Sequence, residues 1–290
     1  MQDSHAYDRS LEDLGNIVQL EHVNLDMPDQ RLATAFFVSG LQATRDPYMQ
    51  TGLDNMWINI GRSQIHLPSR KPRPQRLRGT IGLVVPDLDA VARSLDAVAP
   101  RLAGTQFAMV RQAQALLVTC PWGNRYRCHA PSEAFGRMAL GVGYVELDVP
   151  LGSASGIAAF YDSIFSAKAT TVVEGSVPTA VVAAGHGQSL HFRETDVPQP
   201  AFDGHHVAIY IADFSGPHRR LIDRGLLSHE VDQHEWRFEK IVDLTTGALL
   251  FELEHEVRSM THPLFARPLI NRNPGQGNPY RPGQDAFRGS

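Results

Sequence analysis

The chain repeats one local pattern four times, and this repetition limits the folds open to it more than any other feature. Each copy has a strand-like run, then a turn with acidic or small residues, then a helical pattern; the copies are LEHVNLDMPDQRLATAFF, RGTIGLVVPDLDAVARSL, VGYVELDVPLGSASGIAAFY and HHVAIYIADFSGPHRRLI. Aligning the turns makes four residues equivalent, at spacings of 58, 64 and 62: His22, Thr80, Tyr144 and His206. Such a period is typical of a chain built from one small unit.

Each helical pattern is followed by further strand-like runs with Gly or Asn at the turns, such as DNMWINIGRSQIHLP and TAVVAAGHGQSLHFRE. The repeating unit is therefore βαβββ, and the predicted fold class is α+β. One unit of about 60 residues cannot cover its own sheet. We therefore expect four tandem modules to pair into two open, barrel-like mixed β-sheets with flanking helices. The predicted regions are an N-terminal extension (1–15), a first half with modules 1 and 2 (16–131), a second half with modules 3 and 4 (141–258) and a tail (259–290).

The tail is rich in Pro, Gly, Asn and Arg. These residues remove backbone donors or favour disorder, so the tail is predicted to be extended or disordered. The alternative is that residues 265–273 pack over a neighbouring subunit or over the mouth of a site.

The composition excludes several functional classes. With 27 basic and 31 acidic residues the net charge is only −4, which gives no electrostatic footprint for nucleic acid or an anionic membrane. Two cysteines, Cys120 and Cys128, are too few for a disulfide scaffold or an iron–sulfur cluster, so we expect reduced thiols. No signal run or bilayer-spanning stretch is present, so we expect a cytoplasmic protein. Thirteen histidines direct attention to metal and proton chemistry.

Three segments carry a resemblance to a known superfamily. LEHVNLDMPD and GTIGLVVPDLDA look like its module-opening strand and turn, and CPWGNRYR looks like the lead-in to its last strand. Over residues 16–258 the chain resembles the vicinal oxygen chelate superfamily, which includes glyoxalase I, bleomycin-resistance proteins and type I extradiol dioxygenases. Four modules on one chain most resemble the extradiol dioxygenases. The resemblance implies a divalent metal, Fe(II) foremost with Mn, Zn or Ni as alternatives, and a small aromatic, catechol-like substrate.

The resemblance also implies that metal ligands come from the first and last strands of paired modules, and it places them in the second half. His206 occupies the opening strand of module 4, and Glu254 its closing strand. Glu252 lies on the same strand face by parity, so the sequence does not choose between the two glutamates. The third position, a histidine in the dioxygenases, is Tyr144 here. The donors that can replace it are His191 on the last strand of module 3, which we favour, Tyr144 itself as a phenolate, and His205.

The first half offers His22 and His66 at matching strand positions. The other two positions there hold Thr80 and Arg127. A guanidinium repels a cation, and no carboxylate aligns with these positions. We therefore expect a structural half without a metal and keep His22 and His66 as alternative ligands only.

Two residues are predicted to be catalytic. His234 stands where it resembles the active-site histidine of extradiol enzymes, in which a neutral imidazole takes and returns a proton; Tyr144 is the other. The predicted function is a metal-dependent oxidoreductase of the ring-cleaving type. The alternatives are a glyoxalase-type lyase or isomerase and a metal-free protein that binds a small molecule. The expected partner is a small-molecule substrate and neither nucleic acid nor membrane, and self-association into a homo-oligomer is left open.

Overall fold

The fold consists of four copies of a β-α-β-β-β unit in the computed structural model, which describes residues 9–49 and 54–272. Module 1 contains β1 (Ile17–Asn24), α1 (Gln30–Ala33, continued as a π-helix over Thr34–Gly40), β2 (Thr44–Arg45), β3 (Asn55–Ile60) and β4 (Ser63–Pro68). Module 2 contains β5 (Gly79–Val84), α2 (Leu88–Val98), β6 (Ala108–Arg111), β7 (Ala115–Thr119) and β8 (Arg125–His129). Module 3 contains β9 (Gly141–Pro150), α3 (Ala154–Phe165), β10 (Ala169–Glu174), β11 (Val177–Ala183) and β12 (Ser189–Thr195). Module 4 contains β13 (His206–Ile211), α4 (Ser215–Ile222), β14 (Leu227–Asp232), β15 (Glu235–Val242) and β16 (Leu249–Ser259).

The strands form two eight-stranded mixed sheets. The first sheet has the order β14-β15-β16-β13-β1-β4-β3-β2, and the second has the order β10-β11-β12-β9-β5-β8-β7-β6. At the centre of each sheet the first strands of two modules pair antiparallel. Each of these strands also pairs in parallel with the last strand of its own module. The predicted α+β class with two open mixed sheets is confirmed.

The pairing of the modules differs from the prediction. We expected modules 1 and 2 to share one sheet and modules 3 and 4 the other, but the first sheet joins modules 1 and 4 and the second joins modules 2 and 3. The reason lies in two linkers, residues 69–78 and 196–205, each of which leads from one sheet to the other. Buried Gln75 fastens them together. Its side chain accepts a hydrogen bond from the N–H of Asp26 at 2.8 Å and donates one to the carbonyl of Asp203 at 3.0 Å.

The acidic residue of the repeated turn stabilises the start of the helix that follows. The side chain of Asp29 accepts hydrogen bonds from two N–H groups of α1, and that of Asp87 accepts one from α2. Asp213 accepts from the N–H of Gly216 at 3.0 Å at the start of α4. The acidic residue therefore recurs in the turn because the free N–H groups at a helix start need a hydrogen-bond acceptor. None of the helices in residues 9–49 and 54–272 is long and apolar enough to cross a membrane.

Apolar residues alternate along the strands, so each sheet has an apolar face and a polar, concave face. On β13, for example, Val207, Ile209 and Ile211 face the core. The helices cover the apolar faces, and α3 packs against strands of both sheets, so one continuous core lies between them. Cys120 and Cys128 are buried in this core as unpaired thiols.

The chain after β16 packs on the concave face of the first sheet. We call residues 260–272 the C-terminal strap. The ring of Phe265 lies 4.9 Å from that of Tyr210 on β13. The side chain of Asn271 accepts from the N–H of Gly61 at 2.9 Å and donates to its carbonyl at 2.8 Å. This part of the predicted tail is therefore packed across the first sheet. The segments outside the described residues are 1–8, 50–53 and 273–290.

An Asn271→Ala variant is expected to lower the free energy of unfolding by about 1–3 kcal/mol. Asn271 is 1% exposed, and its loss leaves the buried N–H and carbonyl of Gly61 without partners. Urea unfolding followed by tryptophan fluorescence measures the change. The matched control is Arg272→Ala, because Arg272 is exposed; a change within about 0.5 kcal/mol is expected there. Equal losses in both variants would contradict the role given to Asn271.

Candidate metal centre

Three histidines from three neighbouring strands converge on the concave face of the first sheet. They are His22 on β1, His66 on β4 and His206 on β13, and one ring nitrogen from each lies within 4.8 Å of the other two. The ring centroid of His22 is 5.7 Å from that of His66 and 5.5 Å from that of His206. First and last strands of two modules thus bring distant parts of the chain to one point.

A β-bulge in β1 turns two consecutive side chains toward this face. Neighbours on a regular strand point to opposite faces, but the pairing with β13 shifts register between Leu20 and His22. Leu20 and Val23 therefore both face the core, and Glu21 and His22 between them both face the concave side. A carboxylate oxygen of Glu21 lies 2.6 Å from Nδ1 of His22.

Hydrogen bonds determine which ring nitrogens keep a lone pair. Because carboxylate and amide oxygens accept, Nδ1–H of His22 donates to Glu21, and Nε2–H of His66 donates to Oδ1 of Asn55 at 2.6 Å. Nε2 of His22 and Nδ1 of His66 therefore each keep a free lone pair. The Nε2 atoms of His22 and His206 are buried without a hydrogen-bond partner. Such atoms are costly to bury unless a ligand meets them, and a metal ion is a suitable one.

Two of these imidazoles are held in the neutral form that metal binding requires. Burial, together with His22 and His206, lowers the pKa of His66 to about 2. Burial also lowers the pKa of His206, against the opposing effect of Glu256. The indole of Trp57 stacks on His66 with the ring centroids 3.7 Å apart and holds that ring in place.

The carboxylate beside the free nitrogen of His206 belongs to Glu256, which the sequence analysis missed. Its Oε2 lies 3.4 Å from Nε2 of His206, whereas Glu254 reaches Nδ1, on the other side of the ring, at 3.4 Å. Two ligand atoms about 2.1 Å from one ion are about 3.0–3.4 Å apart, so the spacing of Glu256 and His206 fits a shared metal. The main-chain carbonyl of Glu252 accepts from Arg78. Glu256 therefore joins the predicted Glu254 and Glu252 as a candidate carboxylate ligand, and it is the one beside Nε2 of His206.

The strand register contains a signal that selects Glu256. In module 1 the ligand position on the last strand, His66, pairs with the residue two places after His22. In module 4 the residue two places after His206 pairs with Glu256. When the strand register of module 1 is applied to module 4, the residue equivalent to His66 is therefore Glu256.

The histidines lie in a network of four carboxylates and two guanidinium groups. The contacts are Arg258 with Glu21 at 2.9 Å, with Glu235 at 3.3 Å and with Glu256, and Arg237 with Glu235 at 2.8 Å and with Glu254 and Glu256 at 2.6 Å each. Burial and the neighbouring Glu256 raise the pKa of Glu235. Burial opposes ionisation of Glu256, but His206, His22 and Arg258 keep its pKa well below the usual range. With neutral imidazoles, the four carboxylates exceed the two guanidinium groups by one negative charge when Glu235 is protonated and by two when it is ionised, and a divalent cation would offset this excess.

The strap and the polar residues beneath it close this face. Arg267 of the strap pairs with Asp46 at 2.8 Å, and Asp46 accepts from Gln64, which pairs with His22 across the two strands. His22 and Gln64 are each 1% exposed. Imidazole nitrogens and a carboxylate in such an enclosed place suit Fe, Mn, Zn or Ni, so these residues fit a divalent metal.

Two predicted residues lie on the other sheet. His191 is on β12 and Tyr144 on β9, with their rings stacked 5.2 Å apart, whereas His206 is on the first sheet. The structure therefore does not bring the predicted set of His206, Glu254 and His191 together. Because module 4 pairs with module 1, His22 and His66 of the first half lie beside His206, where donors from module 3 were expected. Burial raises the pKa of Tyr144 to about 12, which opposes a phenolate.

The other two predicted histidines lie outside the cluster. His205 is buried just before β13, with Nδ1 2.7 Å from a carboxylate oxygen of Asp203. His234 lies in the turn between β14 and β15, where Nδ1 is 3.3 Å from the hydroxyl of Thr261 and the ring is 6.5 Å from that of His262. Its role in proton transfer stays a prediction.

Comparison with known proteins agrees with the fold. No protein-family model matches the sequence, and a search of curated proteins gave no significant match. A candidate dioxygenase from Bacillus subtilis is similar in structure with a TM-score of 0.60 at 13% identity, over 85% of this chain and 86% of that one. Glyoxalase I from Zea mays is similar with a TM-score of 0.57 at 10% identity, over 83% and 92%. Likeness at this identity shows the fold alone, and the chain has the vicinal oxygen chelate fold.

Proposed function

We propose that this chain is a metal-dependent oxidoreductase that cleaves the ring of a small catechol-like substrate. Its divalent ion, Fe(II) foremost, would be held by His22, His66, His206 and Glu256. The observation that carries the proposal is the convergence of three imidazoles on a face where carboxylates outnumber guanidinium groups, with the Nε2 of His22 buried and unpartnered and the Nε2 of His206 beside Glu256. A metal-free binding protein would leave these lone pairs and carboxylates uncompensated, so we favour the metal-dependent reading.

The residues around the cluster prepare it for this role. A divalent ion held by three of these four side chains would keep enough positions open for Lewis-acid activation of a pair of substrate oxygens and for O₂. Glu21 fixes the tautomer of His22, and Trp57 fixes the ring plane of His66. Arg258 holds the carboxylates of Glu21 and Glu256 in place. The strap keeps bulk water from the face, and exclusion of water strengthens every electrostatic interaction there.

A glyoxalase-type lyase or isomerase is the second candidate. Glu256 lies beside His206 and offers a carboxylate that can move a proton on the carbon skeleton of a small carbonyl compound. The likeness to glyoxalase I from Zea mays, at a TM-score of 0.57, supports keeping this candidate. The two reactions differ in one simple respect, because only the dioxygenase consumes O₂.

Elemental analysis followed by oxygen uptake tests the proposal. Protein purified without chelators should contain about one divalent ion per chain, because one histidine cluster is described. Protein reloaded with Fe(II) should consume O₂ when a panel of catechols is added. Turnover of small carbonyl compounds without O₂ consumption would favour the lyase. Protein that neither retains nor rebinds Fe, Mn, Zn or Ni would contradict both candidates.

A further inference from the structure

The second sheet has four positions equivalent to the candidate metal ligands, and they carry different chemistry. Thr80 and Tyr144 are the first-strand positions that correspond to His22 and His206 in the repeat. On each last strand, the equivalent position is the residue that pairs with the one two places after the first-strand position. These residues are Arg127, which pairs with Gly82, and His191, which pairs with Glu146. A hydroxyl, a guanidinium, a phenol and an imidazole therefore stand where the first sheet has metal ligands. Hydroxyl, phenol and guanidinium groups donate hydrogen bonds, and the guanidinium adds a fixed positive charge.

Arg127 on this face forms no ion pair within the described part of the chain, and its Nε atom is buried without a hydrogen-bond partner. Arg125, two residues earlier on the same strand face, is paired with Asp148 at 2.6 Å. Burying part of a guanidinium without an anion is unfavourable, so an arginine in this state indicates a binding position for one.

Other hydrogen-bonding groups converge beside Arg127. The guanidinium of Arg127 lies near the hydroxyl of Tyr144, and Nε2 of His129 lies 3.0 Å from the same hydroxyl. Tyr144 can lie here because residue 82 is glycine: a Cβ at Gly82 would come within 2.2 Å of the phenol ring. The ring of Phe135 is parallel to that of Tyr144 at 6.5 Å and gives the position an aromatic wall.

This concave face is more open than that of the first sheet. On β8, Arg127 and His129 are half-buried, whereas on the equivalent last strand β4 every residue except His66 is buried. The strap covers the first sheet through contacts such as Phe265 with Tyr210. A small molecule can therefore reach the residues of the second sheet from solvent.

We propose that the concave face of the second sheet is a metal-free site for a small oxyanion, which Arg127, Tyr144 and His129 bind. Arg127 supplies the charge, and the phenol and the imidazole supply hydrogen bonds to the oxygens. The parallel rings of Tyr144 and Phe135 favour a planar carrier, so an aromatic carboxylate is the preferred class. Inorganic phosphate shares the oxyanion chemistry without the planar group. The chain would thus use one of its two sheets for a cation and the other for an anion.

Calorimetric titration of the chelator-treated, full-length protein tests the site, because no metal is needed. Benzoate should bind with one equivalent per chain, and benzyl alcohol, which has the ring without the charge, should not bind. Arg127→Gln should weaken benzoate binding by about tenfold or more, the usual value of a charge-assisted hydrogen bond. Arg125→Gln is the matched control and should bind benzoate like the unmodified protein, because Arg125 is already paired.

Further variants and probes keep the test decisive. Tyr144→Phe removes one hydroxyl and keeps the ring, and it should also weaken benzoate binding. This variant tests the site if Arg127→Gln does not fold. Binding of inorganic phosphate in place of benzoate, lost in Arg127→Gln, would support the oxyanion site and assign it to phosphate. Binding of neither anion, or equal losses in the Arg127 and Arg125 variants, would overturn the proposal.

Discussion

A His206→Ala variant is expected to lose stoichiometric divalent metal. His206 supplies one imidazole of the cluster, with its ring 5.5 Å from that of His22 and its Nε2 atom 3.4 Å from the carboxylate of Glu256. Loss of a residue that only supports a ligand costs about 10–100-fold in metal affinity. Loss of a ligand itself should cost at least about 100-fold by the same reasoning. Competition with a chromophoric chelator, followed by elemental analysis after dialysis, measures the affinity.

The control is His191→Ala. Both histidines lie on strands near the centre of a sheet, but His191 stacks on Tyr144 in the second sheet and is not part of the cluster. This variant should retain its metal. Retention of metal in His206→Ala, together with loss of metal in His191→Ala, would place the ion on the second sheet and contradict the metal site proposed on the first sheet.

A second matched pair separates the two glutamates next to His206. Glu256→Gln should weaken metal binding by at least about tenfold, because the carboxylate lies beside the free Nε2. Glu254→Gln should have a smaller effect, because Glu254 contacts Nδ1 and the exposed part of the Arg237 network. The reverse order would show that β16 presents Glu254 to the metal.

The fold was predictable because the interactions that build each module are local. Asp29 and Asp87 recur at the same place because each stabilises a helix start. Apolar residues recur at alternate strand positions because each strand has one face in the core. A short window of sequence contains both signals, so the βαβββ unit and its four copies can be recognised without long-range information.

The pairing of modules was not predictable in this way, because it depends on contacts between distant residues. The connections between successive modules are of similar length, and Gln75 reaches Asp203 only once both linkers have crossed between the sheets. The bulge in β1 is also hidden, because strict alternation would place Glu21 and His22 on opposite faces. The module pairing explains why the sequence analysis kept His22 and His66 only as alternatives, and the bulge explains why it did not place Glu21 beside His22.

Arg258 should be the most important ionic residue for stability. Its side chain is 8% exposed and contacts Glu21 at 2.9 Å, Glu235 at 3.3 Å and Glu256. Burial disfavours the charged form, but Glu21 and Glu256 raise the pKa of Arg258, which therefore stays ionised. Arg258→Met keeps most of the volume and leaves three carboxylates without this cation. The expected loss in the free energy of unfolding is about 3–5 kcal/mol, the usual result of breaking a buried charge network from one side.

Metal should reduce this loss, which links the stability of the sheet to the proposed site. A divalent ion bound by His206 and Glu256 would replace part of the missing positive charge, so Arg258→Met should be less destabilised with saturating metal than with chelator. Urea unfolding under both conditions measures the difference. Arg125→Met is the control, because Arg125 forms one exposed pair with Asp148 and should cost no more than about 1 kcal/mol with or without metal. If Arg258→Met were as stable as the unmodified protein in chelator, the carboxylates around the histidines would not need a cation, and the electrostatic argument for a metal would be lost.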